Sequence, residues 1–211
     1  MLEYLEMYRP TPLESFVVEF YRKHAVRSPQ DIDLEMFTWE SGIWIHYASV
    51  PTTHYELDHS MYSIVIDDRM PWEQQRVELA HELGHCLLHA GNQALMINDF
   101  RVMQEWQADR FAMYALSPTF MIANTLIQAS NRQQLVSQLA YQFDVTDPFM
   151  ETRLKMLEAR MRALAAQQQM ATAIAKDRAQ YDYSYRHPLN PSIEYLVKDN
   201  RVIHRRWRAA E

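Results

Sequence analysis

Glycine is scarce in this chain: Gly42, Gly84 and Gly91 are the only three among 211 residues. All-β folds are built from many short strands and tight turns, and tight turns favour glycine. The scarcity therefore disfavours an all-β architecture. Hydrophobic residues make up 48% of the chain and charged residues 23%, which is typical of globular proteins with a packed core. We expect an α+β fold that is mainly helical.

Apolar periodicity and turn signals predict the order of the elements. Helix starts are marked by Thr11-Pro12, Pro71 and Asp147-Pro148, and Gly91-Asn92 is expected to end the third helix. A turn is expected after Pro51. The predicted helices cover 11–25, 30–39, 71–89, 101–116, 119–129, 131–143 and 147–161 with a continuation through 163–175, and the predicted strands cover 43–48 and 61–67.

The character of the sequence changes after about residue 164. Residues 181–191 are rich in tyrosine and proline, which predicts a linker or irregular loop. Residues 193–197 and 201–204 then predict a hairpin with an Asp199-Asn200 turn. We therefore divide the chain into a main domain, 1–164, and a C-terminal extension, 165–211.

Charge, cysteine content and hydropathy narrow the classes of function. The net charge of −6 gives no reason to expect a nucleic-acid-binding protein, although the basic end at 205–208 could bind one through Trp207 and its arginines. The simpler interpretation of that end is a solvated basic terminus. Cys86 is the only cysteine, so no intrachain disulfide and no thiolate zinc cluster is expected. A signal peptide and an apolar run of membrane-spanning length are both lacking, which predicts the cytoplasm and no membrane partner.

The run His81-Glu82-Leu83-Gly84-His85 contains residues suited to binding a metal and to transferring a proton. Residues four apart lie on one face of a helix, so both histidines can occupy adjacent corners of a zinc tetrahedron. Glu82 is placed to take a proton from the attacking water and pass it to a leaving amine. Gly84 inside a helix costs about 1 kcal/mol, which is easier to understand if another backbone or a substrate approaches there.

A catalytic zinc site needs a third protein ligand. A third histidine in a longer motif is excluded, because Leu88 and Gly91 occupy the positions that would carry glycine and histidine. His89 continues the four-residue series but is rotated away by the helix. Glu105 on the next helix is the better candidate, with Asp109 one turn on to accept the outer N–H of a ligating histidine. Two acids on a solvated face remain the alternative.

These residues resemble the ImmA/IrrE family of metallopeptidases. The resemblance rests on the runs 81–89 and 105–112, extends to 64–67 with 76–80 upstream and to 139–146 with 153–157 downstream, and covers roughly residues 12–160. It implies a zincin-like fold with a small N-terminal sheet. It also implies a gluzincin-like zinc site, with His81, His85 and Glu105 as ligands and Glu82 as general base.

The resemblance further implies intracellular cleavage of a helix-turn-helix repressor, often one of a phage or mobile element, which derepresses its genes. Two alternatives stay open. One is a metal-stabilised protein that regulates a repressor or nucleic acid by contact, and the other is hydrolysis of a non-peptide amide. Transition-state stabilisation would fall to Tyr62, His89 or Tyr114. The strand 64–67 could pair with an extended substrate if it lies at a sheet edge.

Overall fold

The computed structural model describes residues 8–58, 61–89, 97–125 and 127–207. Seven helices and six strands lie within them, so the expectation of a mainly helical α+β fold is confirmed. The helices are α1 (Pro12–Lys23), α2 (Leu34–Glu40), α3 (Trp72–Leu88), α4 (Asn98–Leu116), α5 (Thr119–Asn124), α6 (Arg132–Gln142) and α7 (Asp147–Arg178). The strands are β1 (Ile43–Ala48), β2 (Thr53–Asp58), β3 (Met61–Asp67), β4 (Tyr183–His187), β5 (Asn190–Lys198) and β6 (Arg201–Trp207).

Most helix boundaries follow their local signals. The Thr11 hydroxyl accepts from the Glu14 N–H at the start of α1, and Pro12 occupies the first turn. The predicted helix over 30–39 is instead a short 3₁₀ turn, Pro29–Asp31, followed by α2. The helix over 119–129 is shorter than predicted, since α5 ends at Asn124. The expected stop at Gly91-Asn92 lies outside the described residues; α3 has already ended at Leu88.

The first sheet has the order β1-β3-β2, with β1 parallel and β2 antiparallel to β3. Two sequence predictions are wrong here. The stretch after Pro51 contains the strand β2 rather than only a turn, and residues 64–67 belong to the central strand rather than an edge. Because β3 is hydrogen-bonded on both sides, its backbone cannot pair with a further strand; β1 and β2 are the edge strands of this sheet among the described residues. Ile64 and Ile66 of β3 are fully buried, and β3 packs on α3.

Helices α3 and α4 pack closely against each other at Gly84. A Cβ atom on Gly84 would lie 3.0 Å from the Ala108 Cα and 3.2 Å from the Ala108 carbonyl oxygen. The expectation that another backbone approaches Gly84 is therefore confirmed. Ala108 and Ala112 on α4 are buried and small, which allows this approach.

A buried polar network joins four helices of the main core. Arg153 of α7 is fully buried and donates to the Ser117 carbonyl at 2.9 Å and to the Thr119 hydroxyl at 2.8 Å. Its guanidinium also lies 3.9 Å from the buried Glu14 of α1 and over the ring of Tyr114 on α4. A charge without water needs such partners, so this network fixes how α1, α4, α5 and α7 meet.

The chain divides into two compact units, with the boundary between Ala159 and Arg160 inside α7. In the second unit, β4, β5 and β6 form an antiparallel sheet in that order. The hairpin with an Asp199-Asn200 turn is confirmed, because both residues have positive φ angles of 49° and 60°. The predicted loop over 181–191 is wrong, since it contains β4 and the start of β5.

Candidate metal centre

The metal centre is built on two adjacent helices, α3 and α4. His81 and His85 lie one turn apart on α3, and Glu105 projects from α4 toward both. His81 Nε2 lies 3.0 Å from His85 Nε2, and Glu105 Oε2 lies 3.3 Å and 3.5 Å from these two nitrogens. Ligands about 2.0–2.2 Å from a tetrahedral zinc are themselves roughly 3.3–3.6 Å apart. The two separations that involve Glu105 match this spacing, and the 3.0 Å between the two imidazole nitrogens is slightly shorter.

Asp109 is hydrogen-bonded to His81. Its position one helical turn after Glu105 had suggested contact with one of the two histidines. The His81 Nδ1–H donates to Asp109 Oδ1 at 2.9 Å, which leaves the Nε2 lone pair directed at the cluster. Burial alone would lower the pKa of His81, but the hydrogen bond and charge of Asp109, together with the charges of Glu82 and Glu105, outweigh it and raise that pKa. The acids around His81 therefore favour positive charge at this point, from a proton or a metal ion.

A chain of three side chains orients His85 in the same sense. The Gln107 side-chain oxygen lies 3.0 Å from His89 Nε2, and His89 Nδ1 lies 3.1 Å from His85 Nδ1. An amide oxygen only accepts, so His89 donates through Nε2 and accepts from the His85 Nδ1–H. Burial and then the charge of His81 lower the pKa of His85 to about 4, so its ring is neutral at pH 7. Its Nε2 lone pair therefore faces that of His81, an arrangement that a cation between them relieves.

Glu82 lies beside the cluster and faces the sheet. Its carboxylate is only 12% exposed, and its Oε2 lies 2.5 Å from His54 Nδ1 on β2. The ring of His54 stacks on that of His85, with centroids 5.2 Å apart and planes at 20°. Sequence reasoning missed His54 and Gln107, because each meets its partner only through tertiary structure. The strand-favouring residues Thr53 and Tyr55 were the available signal that His54 lies in a strand.

The three residues considered for transition-state stabilisation occupy different surroundings. Tyr114 is buried beneath the Arg153 guanidinium, and both ring nitrogens of His89 have partners within the chain of hydrogen bonds. Tyr62 lies half-buried on β3, where burial, followed by the charges of Glu56 and Cys86, raises the pKa of its hydroxyl. Burial raises the pKa of Cys86 itself to about 12, so this thiol stays protonated and offers no thiolate ligand.

The fold and the site together define a helical α+β protein with two histidines and one glutamate on adjoining helices that could hold a metal ion. Residues 40–155 match the Peptidase_M78 family, whose domain is described as IrrE N-terminal-like. Over 166 residues the chain is 33% identical to the phage-like element PBSX protein XkdA of Bacillus subtilis (strain 168), an alignment that spans 79% of this chain and 83% of that protein. The chain therefore belongs to the ImmA/IrrE family, and the resemblance in its motifs is confirmed.

Membership of this family implies a metallopeptidase-type protein with a protein substrate and a bound metal. Two imidazole nitrogens and one carboxylate oxygen form a donor set that suits zinc. None of the described helices is both long enough and apolar enough to cross a bilayer.

Proposed function

We propose that this chain is a cytoplasmic zinc endopeptidase that cleaves a helix-turn-helix repressor of a phage or mobile element. The observation that carries the proposal is the triangle of His81, His85 and Glu105 donor atoms with Glu82 beside it. The family match supports the peptidase activity. The name of XkdA, a protein of a phage-like element, supports the proposed link to a phage or mobile element.

His81, His85 and Glu105 would hold the zinc. Bound there, zinc supplies Lewis-acid polarisation of the scissile carbonyl and lowers the pKa of water to about 7. Glu82 accepts the proton of the attacking water and delivers it to the nitrogen of the departing amine. Tyr62 is the remaining candidate for stabilising the oxyanion, since Tyr114 and His89 are engaged elsewhere.

The open edge of β2 is the proposed binding place for the substrate backbone. Within the described residues, β2 is hydrogen-bonded along β3 on one side, and it packs against α3. An extended peptide added to the other side would run past Glu82, with its main-chain groups paired to those of β2. The sequence suggested that residues 64–67 pair with the substrate backbone. We now propose this role for β2 instead.

Glu82→Gln tests the chemistry, because the amide keeps the size of the side chain and cannot accept a proton. The protein is co-expressed with each helix-turn-helix regulator encoded beside it, and new peptide termini are sought by mass spectrometry. Wild type should produce new termini in one regulator, whereas Glu82→Gln should retain zinc by elemental analysis and lose cleavage at least about 100-fold. Equal cleavage by both proteins would remove Glu82 from the mechanism.

The alternative is regulation by contact, through the metal-stabilised fold or through the basic end at residues 205–208. In that case the regulator would lose DNA binding equally with wild type and Glu82→Gln, and neither would generate new termini. Cleavage of the regulator by wild type and not by Glu82→Gln would favour the peptidase over regulation by contact.

A further inference from the structure

The edge strand β2 brings a histidine to the general base. His54 is the Cα partner of Ile64 across the β2–β3 ladder, and residues directly opposite one another project from the same face of a sheet. Ile64 is fully buried, and β3 packs on α3. His54 therefore projects toward α3, whereas its neighbour Tyr55 projects to the other face and is 54% exposed.

The contact between His54 and Glu82 is short and shielded from water. The Nδ1–O distance is 2.5 Å, and His54 and Glu82 are 24% and 12% exposed. A carboxylate can only accept, so the Nδ1–H of His54 donates to Oε2 of Glu82. Hydrogen bonds to a charged acceptor are about twice as strong as neutral ones, and partial burial strengthens them further.

Stacking on His85 fixes the imidazole of His54 in this orientation. The two rings are nearly parallel, at 20°, with centroids 5.2 Å apart. His54 is thus held between the metal cluster and the base without belonging to the group of donor atoms, which consists of His81, His85 and Glu105 among the described residues. Its location indicates a role through Glu82 rather than in metal binding.

We propose that His54 is the positioning residue for Glu82, an inference that rests on the peptidase function proposed above. The terminal torsion of a glutamate is broad, so an unsupported carboxylate samples many orientations. Donation from His54 to Oε2 stops this rotation and leaves Oε1 as the oxygen that takes the proton from water. Misplacing a catalytic group by about 1 Å can cost about 100-fold in rate.

Two variants at position 54 distinguish the effect of the lost hydrogen bond from the effect of the changed side-chain volume. His54→Leu removes the N–H, and His54→Asn keeps an N–H donor close to the place of Nδ1. We expect kcat to fall about 100-fold in His54→Leu and to recover at least about tenfold in His54→Asn, with KM within about twofold of wild type in both. His46→Leu, at an exposed histidine of β1, is the matched control and should cleave at the wild-type rate.

Zinc affinity, measured by competition with a chromophoric chelator, should be unchanged in His54→Leu. A loss of zinc in parallel with activity would show that His54 supports the metal and would overturn the proposal. So would a His54→Leu variant with wild-type kcat, or a His54→Asn variant as impaired as His54→Leu.

A double-mutant cycle tests the contact without any substrate. The shifts in thermal midpoint for His54→Leu and Glu82→Leu should not add in the double variant, because each removes the same hydrogen bond. Additive shifts would overturn the inference. If wild type cleaves no regulator, the proposed function fails while the cycle still reports on the contact, so the two failures are distinguishable.

Discussion

At the residue scale, the candidate metal centre depends on which nitrogen of each histidine carries the proton. Asp109 and the Gln107–His89 pair both take up an Nδ1–H, so His81 and His85 present Nε2 to the same point. Such partners orient the ligands and raise their basicity, and their loss typically costs 10–100-fold in metal affinity. The site therefore extends beyond its three donor atoms.

Gln107→Leu should weaken zinc binding about tenfold, because His89 loses the acceptor that fixes its tautomer and then holds His85 less well. A competition titration with a chelator measures the change. Gln168→Leu, at an exposed position of α7, is the control for the substitution itself and should bind zinc as wild type does. Unaltered affinity in Gln107→Leu would remove the Gln107–His89 pair from the site.

Local periodicity was enough to place the candidate donor residues on shared helix faces. His81 and His85, like Glu105 and Asp109, are four apart, so a helix places each pair on one face whatever the rest of the fold does. His54 could not be found in this way, because its contact with Glu82 depends on the pairing of β2 with β3 and on their packing against α3. The register of a sheet is a tertiary property.

At the element scale, Gly84 sets the distance between the two helices that carry the ligands. Glycine to alanine in a helix interior normally gains about 0.5–1 kcal/mol. At position 84 the new methyl group would meet Ala108 at 3.0 Å, so α3 and α4 must separate by a few tenths of an ångström. The donor atoms of α3 and α4 would then move apart as well.

Gly84→Ala should therefore weaken zinc binding by about tenfold or more, against the intrinsic helix propensity. Zinc affinity and the thermal midpoint of the metal-free protein are measured side by side. A variant that binds zinc as tightly as wild type, with a higher midpoint, would show that the helices adjust without effect on the site.

Strand prediction was weaker than helix prediction for a physical reason. Helices α3 and α4 form their backbone hydrogen bonds within one continuous segment, so their local sequence indicates them. Strands β2 and β4 are short, polar and next to prolines, and each lies at the edge of its sheet. Their stability comes from the neighbouring strand, which a local pattern does not reveal.

At the scale of the whole molecule, the buried Arg153 network is the main polar feature of the larger unit. Arg153→Ala should lower the free energy of unfolding by about 3–5 kcal/mol, since it leaves Glu14 buried without its cation. Arg132→Ala is the control. Arg132 is 40% exposed and pairs with Glu151 and Glu158 at the surface, so its loss should cost about 1 kcal/mol or less. Chemical denaturation measures both, and equal losses would contradict the assigned role of burial.

The Gly84 contact also restricts which amino-acid substitutions the protein can accept during evolution. A residue outside the group of donor atoms is nevertheless confined to glycine, because the nearest atoms are the Cα and the carbonyl oxygen of Ala108, which every amino acid at position 108 retains. In a library randomised at positions 84 and 108, we expect survivors to keep glycine at 84 and a small residue at 108. The contact between the two helices, as much as the histidines, then determines which sequences can still give an active protein.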